Sequence, residues 1–214
     1  MAEKSSKGGD LREACVKEAL AIIAKGGIDS LSLRDVARRL GVSHQAPYKH
    51  FPSRDHILAE VVGRAYASFA AYLENRSRSD DPYEDLGHLG RAYLDYAQKH
   101  PLHYQLMFGT PLPDPMEHPE MMNKAEHAFA TLRETITKLP GRTPGADIEL
   151  DALFAWSVVH GLASILQTPA TQQLGIRKAT IAEAIANTLS LIAGALGRPV
   201  KVKTTAKQKR DPRR

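Results

Sequence analysis

The sequence predicts an all-α protein, and three observations lead to that fold class. Apolar residues recur every three to four positions through most of the chain, as on the buried face of a helix. Capping residues or proline precede these segments, and glycine or proline follows them. No segment alternates apolar and polar residues like a half-buried strand. The 214 residues fit one compact domain, or two small ones that share a core.

The first third of the chain predicts three short helices and the start of a longer one. Their expected boundaries are a capping box at Asp10 and Glu13, a stop at Gly26-Gly27, a cap at Ser32, a stop at Gly41, a start at Ser43 or His44, a stop at Phe51-Pro52, and a new start at Ser53.

The remaining two thirds predict longer helices. In order, we expect helices at 53–76, from Pro82 to about His100, at 102–108, over about 20 residues to Leu139, at 147–168 and at 178–196, with loops at 110–119 and 140–145. The polar stretch 75–81 is the predicted boundary between two lobes.

Composition restricts the class of protein. Hydrophobic residues make up 43% and charged residues 25% of the chain, which excludes a disordered protein. The single cysteine, Cys15, excludes an internal disulfide and a four-cysteine zinc site, and it indicates a reducing compartment. No apolar run reaches the ~20 residues that cross a bilayer, and residues 1–10 lack the apolar centre of a signal peptide. We expect a soluble cytoplasmic protein without membrane contact.

The formal charge of +5 indicates a nucleic-acid partner, but most of it lies at one end. Residues 201–214 hold seven Lys and Arg and one acid, a net charge of +6, so residues 1–200 carry a net charge of −1. We expect residues 199–214 to form a disordered basic tail that adds sequence-independent affinity by neutralising phosphates. A solvated tail without function is the alternative.

Residues 28–58 have the spacing of a helix-turn-helix, in which two short helices are joined by a turn that contains glycine. Gly41 can adopt the left-handed conformation that such a turn needs. The second helix carries side chains that suit DNA, since Gln pairs with adenine while Lys and Tyr hold phosphates. These side chains are Ser43, His44, Gln45, Tyr48, Lys49 and His50.

The run G-V-S-x-x-A-P-Y-x-H-F-P-S-R at 41–54 resembles the signature of TetR-family transcriptional regulators. The resemblance implies a DNA-binding head at 10–70 with its helix-turn-helix at about 32–52, a C-terminal helical lobe at 81–198 that senses a small molecule and dimerises, and a homodimer. By position it implies that Ser43, His44 and Gln45 approach bases, that Tyr48, Lys49 and His50 hold the DNA backbone, and that Ser32 and Arg54 bind flanking phosphates. Ser32 and Ser43 have the alternative of being helix caps only.

The segment A-W-S-V-V-H-G at 155–161 resembles the C-terminal domain of a TetR subgroup named for its Trp, His and Gly. Trp156 and His160 are four residues apart and share a helix face, where they form a candidate ligand pocket. Tyr104, Met107 and Phe108 precede the proline-rich loop and are candidates for the same pocket. The alternative is that these side chains only fill the core.

The last two predicted helices are candidates for a four-helix dimer interface. The candidate interface residues are Ser157, Gly161, Ile181, Ile185, Leu189 and Ile192. The alternative is that both helices pack within one subunit.

The sequence offers no basis for an enzyme, a metal site or a cofactor. His100 and His103 have ligand-like spacing, but Pro101 interrupts it and no nearby acid or Cys completes a set. No hydrolase, phosphate-loop or dinucleotide motif occurs.

We therefore expect a sequence-specific transcriptional regulator, a repressor released from palindromic operator DNA by a small-molecule effector, in the cytoplasm and associated with the nucleoid. One alternative is a helical ligand-binding protein with a vestigial head, and another is a non-specific nucleic-acid binder that acts through the tail.

Overall fold

A computed structural model describes residues 3–109, 111–141 and 147–197, with only the backbone for 3–9 and 172. Within these ranges the chain forms nine α-helices and no strand, which confirms the all-α prediction. The helices are α1 (Glu3–Gly26), α2 (Leu33–Leu40), α3 (Arg54–Glu74), α4 (Pro82–Lys99), α5 (Pro101–Phe108), α6 (Pro119–Thr137), α7 (Ile148–Gln167), α8 (Pro169–Gln173) and α9 (Lys178–Leu196). Short 3-10 turns occur at Ile28–Ser30 and Pro47–Lys49. The expected tail at 199–214 lies outside the described residues.

Among the observed α-helices, α1 and α8 differ from the prediction. Helix α1 begins at Glu3, so Asp10 lies inside the helix and does not cap it. Helix α8 was not predicted, although Thr168 and Pro169 form a helix start: the Thr168 hydroxyl accepts a hydrogen bond from the Thr171 amide, and proline occupies the first position. Five residues are too few to show a helical period, which explains why this helix escaped prediction.

Three of the predicted caps and stops of the head, Ser32, Gly41 and Ser53, are present. The Ser32 hydroxyl accepts a hydrogen bond from the Asp35 amide at 3.1 Å and donates one to the Asp35 carboxylate at 2.7 Å. Gly41 closes α2 with a φ of 65°, in the left-handed region that favours glycine. Ser53 caps α3 by accepting from the His56 amide at 3.4 Å. Caps and stops readable in the sequence therefore fix both ends of α2 and the start of α3.

Replacing Gly41 with alanine is expected to destabilise the protein by about 1–2 kcal/mol, because a Cβ in the left-handed region meets the following carbonyl. The added Cβ has no neighbour within 4 Å, so backbone strain accounts for the whole loss. Gly87→Ala is the control: Gly87 lies inside α4 in open space, and the change is expected to stabilise by about 0.5–1 kcal/mol. Urea unfolding of both variants measures the difference, and a Gly41→Ala protein as stable as wild type would contradict the strain.

The head is formed by α1, α2 and the first half of α3. Its centre is apolar, and its buried side chains include Cys15, Ile22, Val36, Phe51 and Ile57. Its rim carries an ion-pair network between α1 and α3. Glu60 accepts from Arg12 at 2.8 Å and from Arg64 at 2.8 Å, and Arg64 also pairs with Glu13 at 2.6 Å.

This network keeps Glu60 charged. Burial raises the pKa of Glu60, but the hydrogen bonds from Arg12 and Arg64 outweigh burial, so the pKa lies below its ordinary value. The network therefore fixes the angle between α1 and α3 without leaving a buried charge unpaired.

Helix α3 extends from the head into the C-terminal lobe and contributes buried residues to both. Its first turns bury Ile57 and Leu58 beneath α1 and α2, and its last turns bury Phe69 and Leu73 in the lobe. Helix α6 packs along α3, and α4, α7 and α9 complete the lobe. Helix α3 is therefore a structural element that the head and the C-terminal lobe share.

Helices α7 and α9 are long and apolar enough to cross a membrane by length and composition, with mean hydropathies of 1.3 and 1.5. The expectation that no segment reaches this length was therefore wrong. Core helices of soluble proteins meet the same criterion. Only 22% and 17% of these two segments are buried in the chain, so both helices leave apolar surface exposed.

Candidate nucleic-acid interface and ligand cavity

The predicted second helix of the helix-turn-helix, at 43–50, is not an α-helix. Residues 44–46 form a turn that continues into the 3-10 helix Pro47–Lys49. The Ala46 amide donates to the Ser43 carbonyl at 2.9 Å, and the Lys49 amide donates to the Ala46 carbonyl at 3.3 Å. Pro47 has no N–H, so the i→i−4 hydrogen bond that would continue an α-helix at this position cannot form. The segment keeps a helical path but is wound more tightly.

Buried side chains anchor this segment and polar ones cover it. Pro47 and Phe51 are buried, and the Arg12 guanidinium lies 5.3 Å from the centre of the Phe51 ring. Five predicted DNA contacts, Ser43, His44, Gln45, Tyr48 and Lys49, are exposed, and His50 is half-buried. The exposed ring of Tyr48 stands out because tyrosines in this chain are otherwise largely covered. We call residues 43–50 the platform: buried Pro47 anchors it in the head, and its polar side chains face solvent.

The other two predicted phosphate contacts already have partners within the head. The Ser32 hydroxyl is engaged with Asp35 in the cap of α2. Arg54 donates to the Leu31 carbonyl from Nε at 3.2 Å and to the Ile28 carbonyl from Nη2 at 2.7 Å. Arg54 therefore fastens the start of α3 to the loop before α2, a role that the sequence did not reveal because it depends on a tertiary contact.

A cavity of about 320 Å³ lies in the C-terminal lobe, with a wall formed by α3, α4, α6, α7, α9 and the last residue of α5. This volume falls within the ~300–1,000 Å³ of small-molecule sites. Six aromatic side chains line it: Tyr66, Phe69, Tyr93, Phe108, Phe129 and Trp156. Most of the remaining wall is aliphatic, from Leu73, Leu86, Leu89, Met122, Leu132, Val159, Leu189 and Ile192 among others.

The five predicted pocket residues take three different places. Phe108 and Trp156 lie in the cavity wall. Tyr104 and His160 lie behind Tyr93, to which both are hydrogen-bonded. Met107 is buried, and its carbonyl accepts from the Tyr66 hydroxyl at 3.0 Å.

Sequence reasoning missed the other aromatic wall residues, Tyr66, Phe69, Tyr93 and Phe129. Tyr66 and Phe69 are three residues apart on α3, and Tyr93 follows Leu86 and Leu89 on α4 at helical spacing. Helical periodicity identifies such residues as inward-facing, but it does not distinguish a cavity wall from a filled core.

A chain of hydrogen bonds connects the cavity wall to the side chains behind it. Trp156 Nε1 donates to the Tyr93 hydroxyl at 3.3 Å, and the Tyr93 and Tyr104 hydroxyls lie 2.9 and 2.8 Å from His160 Nδ1. A neutral imidazole fits this site in either tautomer, because Nδ1 can accept from a tyrosine hydroxyl or donate to one, and Nε2 lies 3.5 Å from the Ser164 hydroxyl. Burial lowers the pKa of His160 and raises the pKa of Tyr93, so both groups stay uncharged.

The stability of the protein is expected to fall as the pH drops below about 6.5, the ordinary pKa of histidine. The pKa of His160 in the folded protein lies below its value in the unfolded chain. As the pH falls, the unfolded chain therefore binds the proton first, and this lowers the free energy of the unfolded state relative to the folded state. In His160→Gln this loss should be smaller. Burial, together with the charge of His100, also lowers the pKa of His103, so the test is the difference between wild type and His160→Gln from pH 8 to about 5. Equal slopes of unfolding free energy against pH would contradict the buried neutral imidazole.

The residues predicted for the dimer interface differ in how far they are buried within the single chain. Leu189 and Ile192 are buried and line the cavity, Ile181, Ile185 and Gly161 are half-buried, and Ser157 is exposed. The large exposed apolar side chains of α7 and α9 are instead Leu150, Leu153, Phe154, Ile165 and Leu191. We call these five residues the α7/α9 face. Leu189 and Ile192 face inward because α9 packs on α4, where a Cβ on Gly90 would lie 2.4 Å from Leu189 Cδ2.

Comparison with protein families decides the classification. The family model described as bacterial regulatory proteins, tetR family, matches residues 16–61. The model described as tetracyclin repressor-like, C-terminal domain, matches residues 86–196, which is more than half of the chain. The chain belongs to the TetR family. The first match covers the platform, and the second covers the cavity wall except for its α3 residues Tyr66, Phe69 and Leu73.

Relatives of this TetR-family protein carry regulator names. HTH-type transcriptional regulator Rv1816 of Mycobacterium tuberculosis is 34% identical over 91 residues, 41% of this chain and 38% of that protein. HTH-type transcriptional repressor KstR of Mycolicibacterium smegmatis is 32% identical over 96 residues, 42% of this chain and 45% of that protein. The aligned segment thus spans less than half the length of these curated relatives.

A solved structure shares the TetR-family fold over most of the chain. A protein with unknown function from Rhodococcus sp. RHA1 superposes with a TM-score of 0.72 at 24% identity, covering 88% of this chain and 96% of that one. The two family models and the names of these relatives are those of bacterial transcriptional regulators, and the solved structure, at 24% identity, supports the fold alone.

Proposed function

We propose that this TetR-family regulator is a repressor that binds a palindromic operator as a homodimer and is released when a small molecule enters the cavity. The observation that carries the proposal is the platform at 43–50, where exposed polar side chains lie over buried Pro47 and Phe51. DNA binding would associate the protein with the nucleoid. Membership of the Trp-His-Gly subgroup stays a prediction.

Exposure supports the roles proposed for the platform. Ser43, His44 and Gln45 lie in its exposed first half and are assigned to base edges. Tyr48 and Lys49 are exposed in the second half and are assigned, with His50, to the DNA backbone. Ser32 and Arg54 are assigned to flanking phosphates. Their side chains also make hydrogen bonds within the head.

The exposed α7/α9 face supports a homodimer. Large apolar side chains on two neighbouring helices favour burial against a partner, and a second copy offers the same face for a symmetric contact. Two heads would then meet successive major grooves roughly 34–36 Å apart. Ser157, Gly161, Ile181 and Ile185 remain proposed contributors to this interface, whereas Leu189 and Ile192 line the cavity.

Phe154→Asp is expected to convert the dimer to a monomer, because a carboxylate buried in an apolar interface has no counter-charge. Phe154 is exposed in the single chain, so the substitution leaves the subunit core intact. Met116→Asp, at an exposed residue outside the α7/α9 face, is the control and should remain dimeric. Sedimentation equilibrium gives the masses, and a dimeric Phe154→Asp protein would contradict this interface.

Helix α6 supplies a physical route from the cavity to the head. Its residues Met122, Ala125 and Phe129 line the cavity, and His118 lies directly before its first turn. The buried His118 ring packs edge-on against His56 of α3 at 5.0 Å. His56 in turn holds the Ser53 hydroxyl at 2.8 Å, immediately after the platform. A ligand that binds more tightly to a shifted α6 would therefore favour heads in a different position.

Selection of bound sequences from random duplex DNA tests the operator. We expect enrichment of a palindrome, which would establish specificity and two-fold symmetry together. A vestigial head would enrich nothing. A binder that acts through residues 201–214 would lose all binding when they are deleted, whereas here the deletion should weaken affinity and reduce its salt dependence.

A further inference from the structure

The wall of the ligand cavity contains no cationic side chain among the described residues. Its single charged member is Glu126, whose carboxylate pairs with Arg133 and is largely exposed. Arg133 in turn bridges to Glu149 at 3.2 Å, so its charge is balanced by two carboxylates, Glu126 in the wall and Glu149 outside it. An anionic ligand would therefore find no counter-charge.

The hydroxyl groups in the wall already have partners. Tyr66 donates to the Met107 carbonyl at 3.0 Å. Tyr93 accepts from Trp156 Nε1 and is hydrogen-bonded to His160 Nδ1. A charged group that entered this wall would lose its hydration without receiving strong donors in return.

The aromatic side chains present both edges and faces. Phe69 meets Tyr93 at 5.2 Å and 85°, and Phe108 meets Tyr66 at 6.1 Å and 90°. Trp156 lies 6.0 Å from Phe108 at an intermediate angle of 53°. Such rings favour a further flat ring, because edge-to-face and offset contacts add to the burial of apolar area.

We propose that the cavity takes a neutral, apolar, ring-bearing ligand and rejects an anion of the same shape. This inference rests on the proposed function of the cavity as the effector site. It names the chemical class of the effector: one or more fused or linked rings, with at most a weakly polar substituent directed at the hydroxyl oxygens of Tyr66 or Tyr93.

The test compares two dyes that share a ring system. N-phenyl-1-naphthylamine is neutral, and 8-anilinonaphthalene-1-sulfonate adds one sulfonate. Trp156 is the only tryptophan and lies in the wall, so dye binding is measured by quenching of its emission. We expect one neutral dye per chain, with affinity at least about tenfold higher than that of the sulfonate.

A matched pair of variants on α6 tests whether the dye binds in the cavity. Ala125 lines the cavity, and Ala130 lines a separate pocket between α6 and the end of α3; both residues are half-buried. Quenching should be lost in Ala125→Phe and kept in Ala130→Phe. Ala128→Leu fills the same cavity with less volume, so it decides the test if circular dichroism shows that Ala125→Phe has lost helix.

Three outcomes would overturn the inference: equal affinity for the sulfonate, no quenching by either dye, or quenching that survives in both cavity-filling variants. A separate measurement addresses the effector role. If the neutral dye binds as expected but leaves the complex with the selected operator intact, the ligand class stands and release of DNA through this cavity is contradicted.

Discussion

Replacing both Tyr48 and Lys49 with alanine is expected to weaken operator binding by at least about 100-fold, because both exposed side chains are assigned to the DNA backbone. The slope of log affinity against log salt concentration should also fall by about 1, for the lost Lys–phosphate contact. Neither side chain is part of the head core, so helix content and dimer mass should not change. Fluorescence anisotropy with a labelled operator at several salt concentrations measures both effects.

The C-terminal lobe offers a matched control for this double variant. Lys99 Nζ donates to the Tyr72 hydroxyl at 2.9 Å, so Tyr72→Ala with Lys99→Ala removes the same two residue types far from the platform. Operator affinity should stay within about twofold of wild type. The account of the platform fails if the two double variants bind the operator equally well.

Replacing Asp85 with alanine is expected to destabilise the protein by about 3–5 kcal/mol, because it leaves a buried guanidinium without its counter-charge. The Arg76 side chain is only 1% exposed, and its Nη2 donates to the Asp85 carboxylate at 2.7 Å. The same guanidinium also donates to the Leu73 carbonyl at 3.0 Å and to the Thr135 hydroxyl at 3.2 Å. It thereby ties the end of α3 to α4 and α6, and urea unfolding measures the loss.

Asp95→Ala is the control for burial, since the Lys99–Asp95 pair on α4 is exposed and separated by 3.7 Å. Exposed pairs contribute about 0–1 kcal/mol, so little change is expected. The double variant Arg76→Met with Asp85→Leu should recover most of the stability, because it removes both charges together. A loss in Asp85→Ala no larger than that in Asp95→Ala would contradict the structural role of the buried pair.

Local signals were sufficient for most of the helix boundaries. Ser32, Gly41 and Ser53 act on hydrogen bonds within one turn of the chain, and such interactions are readable from neighbouring residues. The platform at 43–50 was harder, since its winding depends on how the missing N–H of Pro47 is accommodated. The residue types were predicted there, and their backbone conformation was not.

The cavity was only partly predictable from the sequence. Helical periodicity predicts which side chains are buried, but it does not predict whether a cavity lies between them. Phe108 and Trp156 were proposed as wall residues, whereas Leu189 and Ile192 were expected at a partner's surface. Which face of α9 turns inward depends on its contact with Gly90 of α4, a residue about 100 positions away. Likewise Arg54 is bound to carbonyls more than 20 residues earlier, which no local pattern reveals.

The most direct test of sequence-specific recognition by the platform is the affinity of the full chain for the selected operator, compared with a duplex of the same composition in shuffled order. Fluorescence anisotropy at physiological salt gives both dissociation constants. We expect the operator to bind at least about 10³-fold more tightly, with two chains per duplex. Equal affinities for the two duplexes would contradict the account.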